Sequence, residues 1–239
     1  MPILALRSFV VSAATLSSLF LGCASKPTAG GPGSYRGVLV GVGELGTLAV
    51  TVAGSANGQL PASGGLVDAD GTTASFSGML NQDNSSLSLS STTGYQLGGD
   101  SRPGYVLGGY QGPLGGGQFA LLEQPDGSGS VKTFCGSYVS TTTAGVAPMA
   151  FAIAAVAGGS AFCVGYNFAW MGTMDASDTV SCSVDTGLFY GNANADAGNQ
   201  WGTGTSDGNN GTWAVVPCGA DASGGPDGGT RDAADATVD

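Results

Sequence analysis

The 239-residue chain carries 44 glycines, about 18% against a usual ~7%, with only 10% charged residues and a formal net charge of −11. The glycines follow no Gly-X-Y period, which excludes collagen, and a hydrophobic content of 42% is too high for a wholly disordered chain. Six basic residues against 17 acidic ones argue against nucleic-acid binding, and the absence of histidine removes the commonest general base and metal ligand.

The N-terminus reads as an address. Arg7 precedes an apolar stretch from Phe9 to Leu21, too short for a membrane span of ~20 residues but suited to a signal-peptide core. Residues 1–22 are therefore expected to be a signal peptide. The Gly22-Cys23 step that follows resembles a bacterial lipobox, with Phe20 where Leu is preferred and Leu21 where a small residue is usual. The resemblance implies acylation of Cys23, and ordinary cleavage after Ala24 is the alternative. Both export the protein. Ala24 and Ser25 bring no acidic residue after the cysteine, which by the same resemblance implies an outer-membrane lipid anchor facing the periplasm or the cell surface. Residues 23–33, small and Pro-containing, form the expected tether.

The body is expected to be all-β, as two tandem Gly-rich antiparallel meander modules, each a small barrel or sandwich, over 34–123 and 131–218 with a linker at 124–130. The evidence is period-two alternation. Leu48, Val50 and Val52 share one face, Ser86 to Ser90 alternates Ser and Leu, and Val180, Cys182 and Val184 oppose Ser181 and Ser183. The Ala-rich run 147–156 reads as strand because Met149, Phe151 and Ile153 alternate. Asn57-Gly58, Asp70-Gly71, Asp126-Gly127, Asp207-Gly208 and Asn210-Gly211 read as turns, since Asx-Gly supplies positive φ.

The modules repeat one pattern. Phe76-Ser77-Gly78 matches Trp170-Met171-Gly172 at an offset of 94, and Leu87 and Leu89 match Val180 and Cys182 at 93. Thr93-Gly94 matches Thr186-Gly187 at 93, while Leu107-Gly108 matches Trp201-Gly202 and Phe119 matches Trp213 at 94. Tyr35-Arg36-Gly37 matches Phe134-Cys135-Gly136 at 99. Such a repeat indicates two copies of one supersecondary unit. With its aromatic-x-Gly strands and Gly-x-aromatic closings, 34–217 resembles the β-barrel lobes of bacterial surface lipoproteins of the transferrin-binding type. The likeness is one of composition and pattern, and no binding residue is carried over from it.

Four cysteines beyond Cys23, with spacings of 28, 19 and 36, suit two disulfides in an exported chain better than zinc, which needs close-spaced pairs. Module closure would bring Cys135 to Cys218, leaving Cys163 for Cys182 with one strand expected between them.

Motifs suggestive of chemistry lack their contexts. Gly41-Val-Gly43-Glu-Leu-Gly46 satisfies GxGxxG but leads into a strand, so it reads as a hairpin. Gly204-Thr-Ser206-Asp-Gly208 satisfies GxSxG without any histidine, and neither Lys26 nor Lys132 sits in an SxxK pattern. Asp185-Thr186-Gly187 is a single copy of the aspartyl-protease triplet, and nothing in the sequence pairs Glu44 or Glu123 with a second carboxylate. Asp68-Ala-Asp70-Gly71 and Asn192-Ala-Asn194-Ala-Asp196 alternate oxygens as calcium loops do, but lack the later glutamate and read as turns. No metal and no cofactor is expected. Trp170, Trp201, Trp213, Tyr110, Tyr138 and Tyr190 fall on strands, expected mostly as core, while an exposed row would bind sugar or protein.

Residues 219–239, with five Asp, one Arg and no aromatic, read as a disordered acidic tail. The expected function is that of a non-catalytic, lipid-anchored envelope protein whose β-domain is structural or binds a protein or carbohydrate ligand. The alternatives are a carbohydrate-active or other secreted hydrolase using Asp carboxylates, and a small outer-membrane barrel.

Overall fold

The computed structural model describes residues 28–54, 58–124, 131–142, 145, 147–184, 187–195, 199–202 and 210–219. Among these residues, sixteen antiparallel strands form two closed barrels of eight. Barrel 1 comprises β1 (Gly33–Gly41), β2 (Glu44–Val52), β3 (Gln59–Asp68), β4 (Thr73–Asn81), β5 (Ser86–Ser91), β6 (Gln96–Arg102), β7 (Tyr105–Gln111) and β8 (Gly116–Glu123). Barrel 2 comprises β9 (Val131–Ser140), β10 (Met149–Val156), β11 (Gly159–Gly165), β12 (Phe168–Met174), β13 (Thr179–Val184), β14 (Gly187–Asn192), β15 (Gln200–Gly202) and β16 (Asn210–Pro217). Each strand pairs with its neighbour in sequence, and β1 closes on β8 as β9 closes on β16. Closure removes exposed sheet edges.

Alternation decides what faces in. In β5, Leu87 and Leu89 are buried while Ser88 and Ser90 are exposed. Barrel 1 is filled mainly by aliphatics, among them Leu48, Val50, Leu60, Leu66, Leu80 and Leu97. Barrel 2 is filled largely by rings, with Phe151 stacked on Phe189 at 4.7 Å and Tyr138 meeting four aromatic neighbours edge-on. Outside, barrel 1 is lined with hydroxyls and amides, and Thr51, Ser63, Ser77, Ser90 and Gln96 form one cross-strand row.

Much of the repeat read in the sequence is a repeat in space, but the match of Leu107-Gly108 to Trp201-Gly202 is corrected: Leu97 pairs with Tyr110 as Phe189 pairs with Trp201, so Trp201 stands where Tyr110 does. Gly78 pairs with Leu89 as Gly172 pairs with Cys182, and Gly37 pairs with Leu121 as Gly136 pairs with Val215. A Cβ at Gly37 or Gly136 would run into the carbonyl of Ala120 or Ala214 respectively, so both barrel seams require glycine. Among the described residues, the only non-glycines with positive φ are Ser85 (58°) and Asp178 (63°), 93 positions apart and each just before β5 or β13. Their carbonyls accept from the N–H groups of Ser101 (2.7 Å) and Ala193 (2.9 Å), so even the strained residue is duplicated.

The sequence reading of Asn210-Gly211 as a turn is corrected: both residues lie in β16. Gly211 is there because a Cβ would meet the Trp201 indole and the Val139 carbonyl. By contrast, Gly71 does take a turn conformation at φ +87°, and Gly41–Gly46 is the β1–β2 hairpin.

Two disulfides join Cys135 to Cys218 and Cys163 to Cys182. The first ties the outside of β9 to the residue after β16. The second lies inside barrel 2 and crosses β12, with Cα atoms 6.0 Å apart. Gly172, bare of side chain, stands opposite Cys182 on the intervening strand. Chain-entropy reasoning gives about 4.5 and about 3 kcal/mol for loops of 83 and 19 residues.

The barrels are joined by a third core. Val38, Val40, Ala120 and Leu122 on the outside of barrel 1 pack against Val131, Ala152, Ala154, Phe162 and Val164 of barrel 2. Tyr105 closes one side, its ring 5.3 Å from Phe162. This explains why β1, β10 and β11 carry unbroken buried runs while β5 alternates.

Candidate functional site

Where the barrels part beyond this core, an open groove of about 770 Å³ runs between the outside of β5–β8 and the β11–β12 hairpin. Its floor includes Gly98, Gly99 and Gly108. A Cβ added at Gly98 would meet nothing within 4 Å, so the sheet there is bare and reachable. Around the floor stand Asp100, Arg102, Gln118 and Asn167, with Tyr105 and Phe168 as aromatic edges. Arg102 lies 3.5 Å from Asp100, an exposed ion pair that leaves both groups able to bond elsewhere. The groove thus offers donors, acceptors and ring surface over a flat floor, which suits a polar ligand carrying apolar faces.

A second cluster sits at one end of barrel 1. Glu44, the first residue of β2, points inward and is 2% exposed, its carboxylate approached by the phenols of Tyr95 and Tyr110 but making no hydrogen bond of good geometry. Tyr95 and Tyr110 face it. Burial, then the adjacent Glu44 carboxylate, pushes the Tyr95 phenol up to about 12 and the Tyr110 phenol well above its ordinary value. Asp68 ends β3 beside it, its Oδ1 accepting from the N–H groups of Leu45 (2.9 Å) and Ala69 (2.8 Å). Burial raises Asp68, those two bonds oppose the shift, and the charges of Asp70 and Glu44 add to it. Asp70 is lowered by the N–H of Thr72, which it accepts at 2.7 Å, so the Asp68–Gly71 segment is a turn, as read.

The nearness of Glu44 to Asp68, whose titration its charge raises, is what sequence reasoning missed. The available signal was register: β2 and β3 run antiparallel with Gly46 opposite Asp68, which puts the start of one strand beside the end of the other.

In barrel 2, Lys132 grips both oxygens of Asp178 at 2.7 and 2.9 Å, and the Asn194 amide donates to the same carboxylate at 2.7 Å. This pins the β12–β13 turn. Asn194 and Asn192 are used in turn bonding, while Asp196 lies outside the described residues. Cys23, Ser206 and the Asp185-Thr186 pair also lie outside them. Among the described residues no three Asp, Glu or Cys side chains converge as a metal-binding group. Of the six singled-out aromatics, Trp213, Tyr110 and Tyr138 are buried and Trp170 and Trp201 half-buried against the barrel 2 core. Tyr190 alone is exposed, at 53%.

No protein-family model, no curated protein and no solved structure shows significant similarity to this chain.

Proposed function

We propose that the chain is an exported, lipid-anchored envelope protein, acylated at Cys23, whose two barrels form a non-catalytic binding domain. The observation that carries the binding reading is the groove between the barrels, with its bare floor at Gly98 and its polar rim of Asp100, Arg102, Gln118 and Asn167. Two disulfides support residence in an oxidising compartment. The interiors are packed with side chains and barrel 1 carries hydroxyls outside. That polarity is the reverse of a membrane-spanning barrel and favours attachment through the N-terminal lipid.

Two experiments test this. Cys23→Ser should abolish incorporation of a labelled fatty acid and move the protein to the soluble fraction; retention in the membrane would sink the anchor reading. Gly98→Trp should fill the groove without disturbing the fold. Screened against envelope oligosaccharides and envelope proteins, the parent chain should retain a ligand that Gly98→Trp does not. Equal retention by both would exclude the groove.

A further inference from the structure

Glu44 is left unused by the binding reading. An ionised carboxylate held away from water without a partner costs several kcal/mol unless a positive charge or a proton meets it. The described part of barrel 1 contains two cationic side chains, and neither reaches Glu44. Arg36 lies five residues before Gly41, the pairing partner of Glu44, about 16 Å away at strand rise, and it stands on the outer face beside Leu122. Arg102 is at the opposite end of the barrel, against Asp100. The groups near Glu44 are instead the Asp68 carboxylate, the phenols of Tyr95 and Tyr110, and Gly112 of the β7–β8 turn.

Glycine keeps this end open around the carboxylate. A Cβ at Gly112 would lie 2.8 Å from both Glu44 oxygens, and one at Gly41 would strike the Tyr110 hydroxyl. The Tyr110 hydroxyl faces the carboxylate, and both are buried without a hydrogen bond of good geometry. A cradle of hard oxygens under net negative charge takes a hard cation. Transition metals prefer imidazole or thiolate, and here histidine is absent and the four body cysteines are in disulfides. Magnesium demands near-octahedral geometry, whereas calcium accepts irregular sets of carboxylate, carbonyl and other oxygens.

We propose that this end of barrel 1 is a calcium site, with Glu44 as its central ligand and Asp68 as the second carboxylate. Two carboxylates and neutral oxygens make a weak site, in the range of about 10⁻⁴–10⁻³ M typical of extracellular modules. Occupation would lock the β1–β2 and β7–β8 turns to the end of β3.

The test uses the mature chain carrying Cys23→Ser, melted in chelator and in millimolar calcium. Calcium should raise Tm by several degrees, since a ligand bound only to the native state stabilises by mass action. Glu44→Gln should lose that rise, yet in chelator melt no lower than its parent, because a buried amide needs no counter-charge. Asp68→Asn should weaken calcium binding several-fold without abolishing it. Terbium in place of calcium should show tyrosine-sensitised emission, from Tyr95 and Tyr110, that calcium competes away and Glu44→Gln lacks. A parent Tm indifferent to calcium, together with equal terbium emission in parent and Glu44→Gln, would overturn the proposal.

Discussion

Barrels 1 and 2 have the same strand count, the same connectivity and matching glycines, yet they are held together differently. Barrel 1 has long ladders, with nine paired residues between β1 and β2 and nine between β3 and β4, an aliphatic interior and no disulfide among its described residues. In barrel 2 the β12–β13, β14–β15 and β15–β16 ladders each have three paired residues among those described. The Cys163–Cys182 bridge spans the first of these thin ladders, and Cys135–Cys218 fastens the β9–β16 seam. Stacked rings fill the space that shorter strands leave. A duplicated barrel can therefore trade backbone pairing for covalent closure and aromatic packing while keeping its topology.

The largest test of this contrast removes the bridges. Serine at Cys135 and Cys218 should destabilise barrel 2 by about 4–5 kcal/mol and serine at Cys163 and Cys182 by about 3 kcal/mol, on the chain-entropy account. Calorimetry with and without reductant should then resolve a lowered transition for barrel 2 beside a barrel 1 transition that moves less. A single transition unmoved by reductant would refute the division of labour. Next in size, Phe162→Ala opens the core between the barrels and should cost about 3–5 kcal/mol. It should also uncouple the two transitions, read as broadening or splitting of the calorimetric peak.

Asp178→Asn should cost about 1 kcal/mol by weakening the contact with Lys132, measurable as a shift in urea midpoint. Ser85 holds the same strained place in barrel 1, so a Ser85→Asn change should leave the melting of barrel 2 untouched. The smallest effect is in pH. Asp68 is raised in the folded state, so the folded form takes up its proton first, and acidification from neutral through its titration should favour barrel 1. Asp175 is lowered, chiefly by the Ser177 hydroxyl and the Thr179 N–H, so its contribution is full at neutral pH and lost only as pH falls through its native titration. Asp70 acts in that same sense within barrel 1. Mild acid should therefore shift the balance of stability toward barrel 1, and Asp68→Asn should flatten the barrel 1 response.

Much of this architecture was legible in the residues. Alternation around Leu87 and Val180 gave strand phase, and the paired aromatic-x-Gly steps gave the duplication, because a barrel imposes period two and needs glycine where neighbouring strands crowd. Closure also accounts for Cys135 meeting Cys218. What could not be read were contacts that depend on how one surface meets another. Glu44 comes near Asp68 only because the β2–β3 register sets Gly46 opposite Asp68. The Val38-Leu39-Val40 run and the Ala150–Ala155 run did carry a signal of burial on both faces, but nothing in either run names the other as its partner. Asn210-Gly211 misled because the same glycine that allows a turn also allows an indole to lie flat on a strand.

The core between the barrels has one further consequence. Barrel 1 docks through β1 and β8, whereas barrel 2 docks through β10 and β11, the counterparts of β2 and β3. The contact is heterologous, with no twofold to close it, and such contacts repeat into open filaments when both unused faces remain complementary. The register shows how this chain differs. Where barrel 2 presents Ala150, Ala154, Phe162 and Val164, barrel 1 has Thr47, Thr51, Ser63 and Gly65. The corresponding free face on barrel 2 still shows Val139, Ala214 and a 47%-exposed Val216. One half of the joint is kept and its mate carries hydroxyls, so the free face of barrel 1 does not repeat the apolar surface through which barrel 2 docks.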